Sequence, residues 1–199
     1  MRLRRIAVHI VLLIALTIPC AANAVPIQQV LSRSSSSIKF GVDSRSPALQ
    51  VAGSFTDFKG TLQLDPERLE RSLVQLTLNL HSAQLRPDQI LQNVFLQTAL
   101  SRVEPPTTTF KSTSIRKERG DTFVVTGSYT WMGKSKTVTV PIRLVRSSAT
   151  STEIQLLLNG TLKDKEAPPE LQAFAPDAKG SKGWAKATLV FVRDLARKG

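Results

Sequence analysis

Phe123-Val124-Val125-Thr126-Gly127-Ser128-Tyr129-Thr130-Trp131-Met132-Gly133-Lys134-Ser135-Lys136-Thr137-Val138-Thr139-Val140-Pro141-Ile142-Arg143-Leu144 is the stretch that decides the fold. In its first half Phe123, Val125, Gly127, Tyr129 and Trp131 fall at every second position. In its second half Val138, Val140, Ile142 and Leu144 do the same against Thr137, Thr139 and Arg143. A period of two puts alternate side chains on opposite faces of an extended strand, so each half reads as a strand with one dry face and one wet face. Met132-Gly133-Lys134 between them is turn chemistry. Two strands joined this tightly must run antiparallel.

The same alternation recurs on both sides of this hairpin. It is seen in Ile38, Phe40 and Val42, in Leu49, Val51, Gly53 and Phe55, and in Leu62 and Leu64. Val74, Leu76, Leu78 and Leu80 follow, and Ile154, Leu156 and Leu158 come later, with Ala185, Ala187, Leu189 and Phe191 at the end. Lys59-Gly60, Asp65-Pro66-Glu67 and Arg119-Gly120-Asp121 read as the turns between them. The expectation is an all-β antiparallel sheet of about eight strands, either closed into a barrel or folded into a sandwich; closure removes the exposed edges. Two stretches break the pattern. Between 87 and 100, Ile90, Leu91, Val94, Phe95 and Ala99 fall at helical spacing behind Pro87 and Asp88, which predicts one α-helix. Residues 163–183, with several prolines and lysines, read as a long loop.

The chain has 199 residues, 41% of them hydrophobic, with 27 Lys and Arg against 15 Asp and Glu, a net charge of +12. That balance suits one folded domain with its own core. Arg2, Arg4 and Arg5 precede an apolar run, and Ala22-Asn23-Ala24 supplies the small residues that a signal peptidase reads. Residues 1–24 are therefore expected to be a cleavable export signal ahead of one domain, 25–199. Three arginines leave with the signal, so the charge falls from +12 to +9. Cys20 leaves too, and with it every thiol; Pro19 stands where lipoprotein processing wants a small residue. His81 is then the only imidazole, which leaves few ligands for a transition metal, and no metal or cofactor is expected. In an exported protein the basic balance points to anionic lipid head groups or envelope polymers rather than nucleic acid, and a simply soluble basic surface, with at most weak attraction to an anionic membrane surface, is the favoured reading. No basic stripe with interleaved aromatics points to nucleic acid.

No catalytic set emerges. The segment 127–135 resembles a phosphate-binding loop, but five residues separate Gly127 and Gly133 where that loop has four, and strand periodicity runs through it. His81 with Ser82 and Asp88 lacks a nucleophile elbow, and a hydrogen-bonded structural histidine at a strand end is the better reading. Asp57, Asp65 and Glu67 sit beside turns, where solvated positions are expected.

Ser37-Ile38-Lys39-Phe40 and the block Val51-Ala52-Gly53-Ser54-Phe55-Thr56-Asp57-Phe58-Lys59-Gly60-Thr61-Leu62-Gln63-Leu64-Asp65-Pro66-Glu67 form an ordered set with two later blocks. These are Pro106-Thr107-Thr108-Thr109-Phe110-Lys111-Ser112-Thr113 and the stretch from Thr126 to Val138. In order and spacing the set resembles the YceI-like family of bacterial secreted proteins. The resemblance implies a closed lipocalin-like barrel with an accompanying helix, located in the periplasm and enclosing an apolar cavity for a polyisoprenoid chain such as a quinone tail or polyprenyl lipid. Drawn from the apolar stripes, the candidate lining is Phe40, Val51, Phe55, Leu76, Leu78, Phe95, Phe110, Tyr129, Trp131, Val140, Leu156 and Leu189. The alternative is a filled, ligand-free barrel that acts in envelope stress or interaction through its basic surface and the 163–183 loop.

Overall fold

The computed structural model describes residues 25–43, 50–131, 133–161 and 182–194. The strands are β1 (Ile27–Leu31), β2 (Ser37–Asp43), β3 (Val51–Phe55), β4 (Phe58–Leu64), β5 (Leu73–Asn79) and β6 (Ala83–Leu85). Helix α1 (Ile90–Leu100) follows, then β7 (Thr107–Arg119), β8 (Thr122–Trp131), β9 (Lys134–Ser147), β10 (Ser151–Thr161) and β11 (Lys182–Arg193). Strands β1-β4-β5-β7-β8-β9-β10-β11 are neighbours in that order. β11 returns to β1 through Gln29↔Arg193, Val30↔Val192 and Leu31↔Phe191. Eight antiparallel strands therefore close into a barrel. The choice between barrel and sandwich is settled by this last pairing.

The expected hairpin is present, with Trp131 opposite Lys134 and Gly133 at φ 74°, a left-handed conformation that costs a glycine little. The helix begins at Ile90 rather than at Pro87. One expected turn is overturned: Lys59 and Gly60 lie inside β4, and the chain bends just before them, at Thr56 and Asp57. Residues 1–24 and most of 163–183 lie outside the described residues. The last two of that expected loop, Lys182 and Gly183, belong to β11, where they face Thr161 and Gly160 on one side and Asp43 and Val42 on the other.

The bend at Thr56 is one of three in register. The chain also kinks at Arg33–Ser35, between β1 and β2, and at Leu80–Ser82, between β5 and β6. Arg33 donates to the Thr56 carbonyl at 2.6 Å, Thr56 N–H donates to the Ser82 carbonyl at 3.3 Å, and Asp57 N–H donates to Ser82 Oγ at 3.0 Å. A crease thus crosses three neighbouring strands. On one side of it β1, β4 and β5 stay in the barrel wall. On the other, β2, β3 and β6 continue as a flap, attached to β11 through β2. β5 pairs with β7 as far as Asn79↔Thr107, whereas β6 ends the sheet order and, among the described residues, has β3 as its only strand neighbour. Above the crease the wall is therefore open between β6 and β7. α1, which joins those two strands, supplies the missing cover.

Two buried clusters result. At the closed end Leu31, Phe58, Leu62, Leu64, Val74, Val125, Ile154, Ala187, Leu189 and Phe191 pack together, with Phe191 fully buried. At the helix end Leu80, Ala83, Leu100 and Val103 form a smaller one.

Candidate functional site

Residues directly opposite each other on paired strands share a face. Leu76 faces Phe110, which faces Tyr129. Val125 faces Val140, Leu156 faces Ala187, and Ile154 faces Leu189. Phe40 faces Ala185, Val42 faces Val51, and Ile38 faces Phe55. With alternation along each strand, this register brings Phe40, Val51, Phe55, Leu76, Leu78, Phe110, Tyr129, Trp131, Val140, Leu156 and Leu189 onto one continuous inner face. Phe95 is the exception. It lies on α1 and is 62% exposed, because helical periodicity points it to a side of the helix that the barrel does not cover.

Burial is uneven along this face. Leu189 belongs to the solid cluster, whereas Phe40, Val51, Phe55, Leu76, Leu78, Phe110, Tyr129, Trp131, Val140 and Leu156 are only half-buried. Leu76, Phe110 and Leu156 touch the closed-end cluster, Phe40 and Trp131 touch the helix-end cluster, and Phe55 and Leu78 touch both. A close-packed interior would seal side chains held between two buried clusters. These remain accessible, so a band of aromatic and leucine surface stands open between floor and cap. The rings are paired: Phe40 and Phe55 have centroids 4.8 Å apart, and Tyr129 and Trp131 stack at 6.4 Å and 24°.

Polar groups on the inner face are few and mostly used by the wall itself. Ser112 Oγ accepts from Val74 N–H at 2.9 Å, and Thr108 Oγ1 donates to the Thr130 carbonyl at 2.5 Å. Burial pushes the Tyr129 phenol above its ordinary 10.0, partly offset by the Thr108 hydroxyl, so it stays a neutral donor at physiological pH. Near the floor, Gln29 Nε2 donates to the Ser148 carbonyl at 3.0 Å, while Gln29 Oε1 and Thr152 Oγ1 are buried without a protein partner.

The sequence reading missed how α1 is held. Gln89, just before the first residue of α1, and Asn93 and Gln97 within it recur every four residues. Gln89 donates to the Gln50 carbonyl at 2.6 Å and accepts from Ala52 N–H at 3.1 Å. Asn93 accepts from Leu85 N–H at 3.1 Å, and Gln97 donates to the Ala83 carbonyl. The amides satisfy backbone groups at the flap's edge, where a strand would otherwise sit. Ile90, Leu91 and Val94 consequently face outward, 70%, 73% and 59% exposed. The signal was an amide stripe at a spacing of four, obscured because the apolar residues beside it read as the buried side.

The polar residues weighed as catalytic do structural work. Ser82 Oγ donates to the Asn79 carbonyl at 2.6 Å, and Asp57 accepts from Asn79 Nδ2 at 3.0 Å. His81 differs from its expected bonding: its backbone N–H, not its ring, bonds Asn79 Oδ1 at 3.1 Å, and the residue is exposed. Among the described residues no three of His, Cys, Asp and Glu gather where they could hold a metal ion.

Residues 30–179 match the family described as the YceI-like domain. The chain belongs to that family. Protein YceI of Salmonella arizonae and of Salmonella newport are each 32% identical to this YceI-like chain over 93 residues, 47% of its length and 48% of theirs. The match thus spans about half the length of these curated relatives. Among solved structures, BcnA of Burkholderia cenocepacia superposes with a TM-score of 0.61 at 19% identity, covering 80% of this chain and 98% of that one. A polyisoprenoid binding domain from Saccharophagus degradans, implicated in plant cell wall breakdown, gives 0.61 at 14% identity over 85% and 99%. At these identities the likeness is one of fold: a lipocalin-like barrel with one helix.

Proposed function

We propose that this YceI-like protein is an exported, periplasmic carrier that holds a polyisoprenoid chain, a quinone tail or polyprenyl lipid, against the inner face of its barrel. The observation that carries this reading is the half-buried band between two solid clusters, built from Phe40, Phe55, Leu76, Leu78, Phe110, Trp131 and Leu156. Covering such surface with hydrocarbon is favourable by on the order of 0.8 kcal/mol per methylene, which suffices for tight binding without charge chemistry. The Saccharophagus domain of the same fold, described as polyisoprenoid binding, supports the ligand class. The export signal expected at 1–24 supports the compartment. The reading is one of binding rather than catalysis, with the residues of the inner face supplying dry surface. The outward Ile90, Leu91 and Val94 of α1, with the charge of +9 left once the export signal is removed, support contact with an anionic membrane surface from which such a lipid would be drawn.

Organic extraction of the purified mature protein, followed by mass spectrometry, tests the reading. Prenyl lipid recovered in near-stoichiometric amount, or taken up on incubation with a prenol, is the expected result. Protein that neither carries nor acquires one overturns it.

A further inference from the structure

The apolar stripe of β9 does not end where the barrel does. Val138, Val140, Ile142 and Leu144 are half-buried on the inner face, and the next two positions of the same parity toward the hairpin tip are Lys136 and Lys134. Lys136 lies opposite Tyr129 and Lys134 opposite Trp131, so both share the face on which those two rings stack. The intervening Ser135 belongs to the other face, where its hydroxyl bonds Thr130 Oγ1 at 2.7 Å. Both lysines are exposed, and among the described residues neither takes part in an ion pair or side-chain hydrogen bond.

An apolar wall that ends in two unpaired ammonium groups has a chemical direction. A neutral head group, such as a quinone ring, gains little from them. A phosphate ester brings oxygens that accept charge-assisted hydrogen bonds, and lysine binds phosphate as a mobile point charge. Trp131 and Tyr129 mark the place where the apolar wall gives way to these charges. We propose that Lys134 and Lys136 form the head-group site for the phosphate of a polyprenyl phosphate whose chain lies on the inner face below. This rests on the lipid-binding reading and adds the chemical class of the head group.

Trp131 provides the readout once the other tryptophan, Trp184, is replaced by Phe in all proteins compared, so that emission reports the site. The protein is titrated with geranylgeraniol, with geranylgeranyl phosphate and with inorganic phosphate. The phosphate ester is expected to bind roughly tenfold tighter than the alcohol, an advantage that shrinks at high salt. In the Lys134→Gln/Lys136→Gln double variant the ester should fall to the alcohol's affinity while the alcohol is unaffected. Both positions are exposed, so an unchanged melting temperature is expected to accompany this. If the ratio of ester to alcohol survives the double substitution, or if inorganic phosphate at high concentration leaves that ratio unchanged, the head-group site is refuted while lipid binding stands. If neither prenyl compound binds, the lipid-binding reading falls and the head-group site with it.

Discussion

At the scale of single residues, Asp121 and Arg143 illustrate how a turn is tied to the strand beside it. Asp121 sits at the tip of the β7–β8 hairpin, and Arg143 Nε donates to its Oδ2 at 2.6 Å. The Asp121 carbonyl accepts from Leu144 N–H at 2.8 Å. The hydrogen bond from Arg143 is the main reason the carboxyl is held below its ordinary 3.8. A carboxylate lowered in the folded state stabilises that state above the ordinary value, and the contribution disappears as pH falls through the lowered one. Replacing Arg143 with Gln should therefore move the Asp121 midpoint up toward 3.8 in a carboxyl-carbon NMR titration. A midpoint that does not move would assign the effect to the turn backbone. None of this was legible beforehand: Arg119-Gly120-Asp121 was readable as a turn, but nothing in the chain order named its partner.

At the scale of elements, α1 is the least conventional part of the molecule. Its residues Ile90, Leu91, Val94 and Ala99 were legible as a helix from their spacing, and a helix forms. Ordinary amphipathic logic would bury the apolar side. Here the flap edge presents unpaired backbone groups, and leaving those buried without partners would cost more than exposing a few aliphatic side chains. The amide stripe therefore shares the inward side with Leu96, Ala99 and Leu100, while Ile90, Leu91 and Val94 are turned out. Asn93→Ala and Gln97→Ala should each destabilise the protein by about 1 kcal/mol. Amide hydrogen exchange should accelerate first in β6 and α1, while the Leu62 and Phe191 regions remain protected. Uniform acceleration throughout the barrel would contradict the view that these amides fasten one element to one edge.

At the scale of the whole molecule, the division between a solid floor and an open band can be measured with one side chain. Leu62 is 3% exposed in the closed-end cluster, and Leu78 is half-buried in the band. Both are inner-face leucines on adjacent strands, β4 and β5. Leu62→Trp should overpack the floor and lower stability by roughly 1–3 kcal/mol in a denaturant titration. Leu78→Trp should be tolerated with a smaller loss and should abolish prenol uptake by filling the space the chain would occupy. Equal destabilisation at the two positions would mean that the interior is packed throughout.

Local patterning by itself determined that this chain is antiparallel β, with one helix and a dry inner face, because a period of two is a property of neighbouring residues along a strand. It also named the YceI-like blocks and nearly all of the inner-face residues, since side-chain parity propagates through register. Closure was different, for it depends on Leu31 meeting Phe191 from the far end of the chain. The crease depends on three bends stacking side by side, and the orientation of the helix on which backbone groups the flap left unpaired. Those contacts join residues far apart in sequence, so only the folded arrangement could decide where the barrel is solid and where it is open.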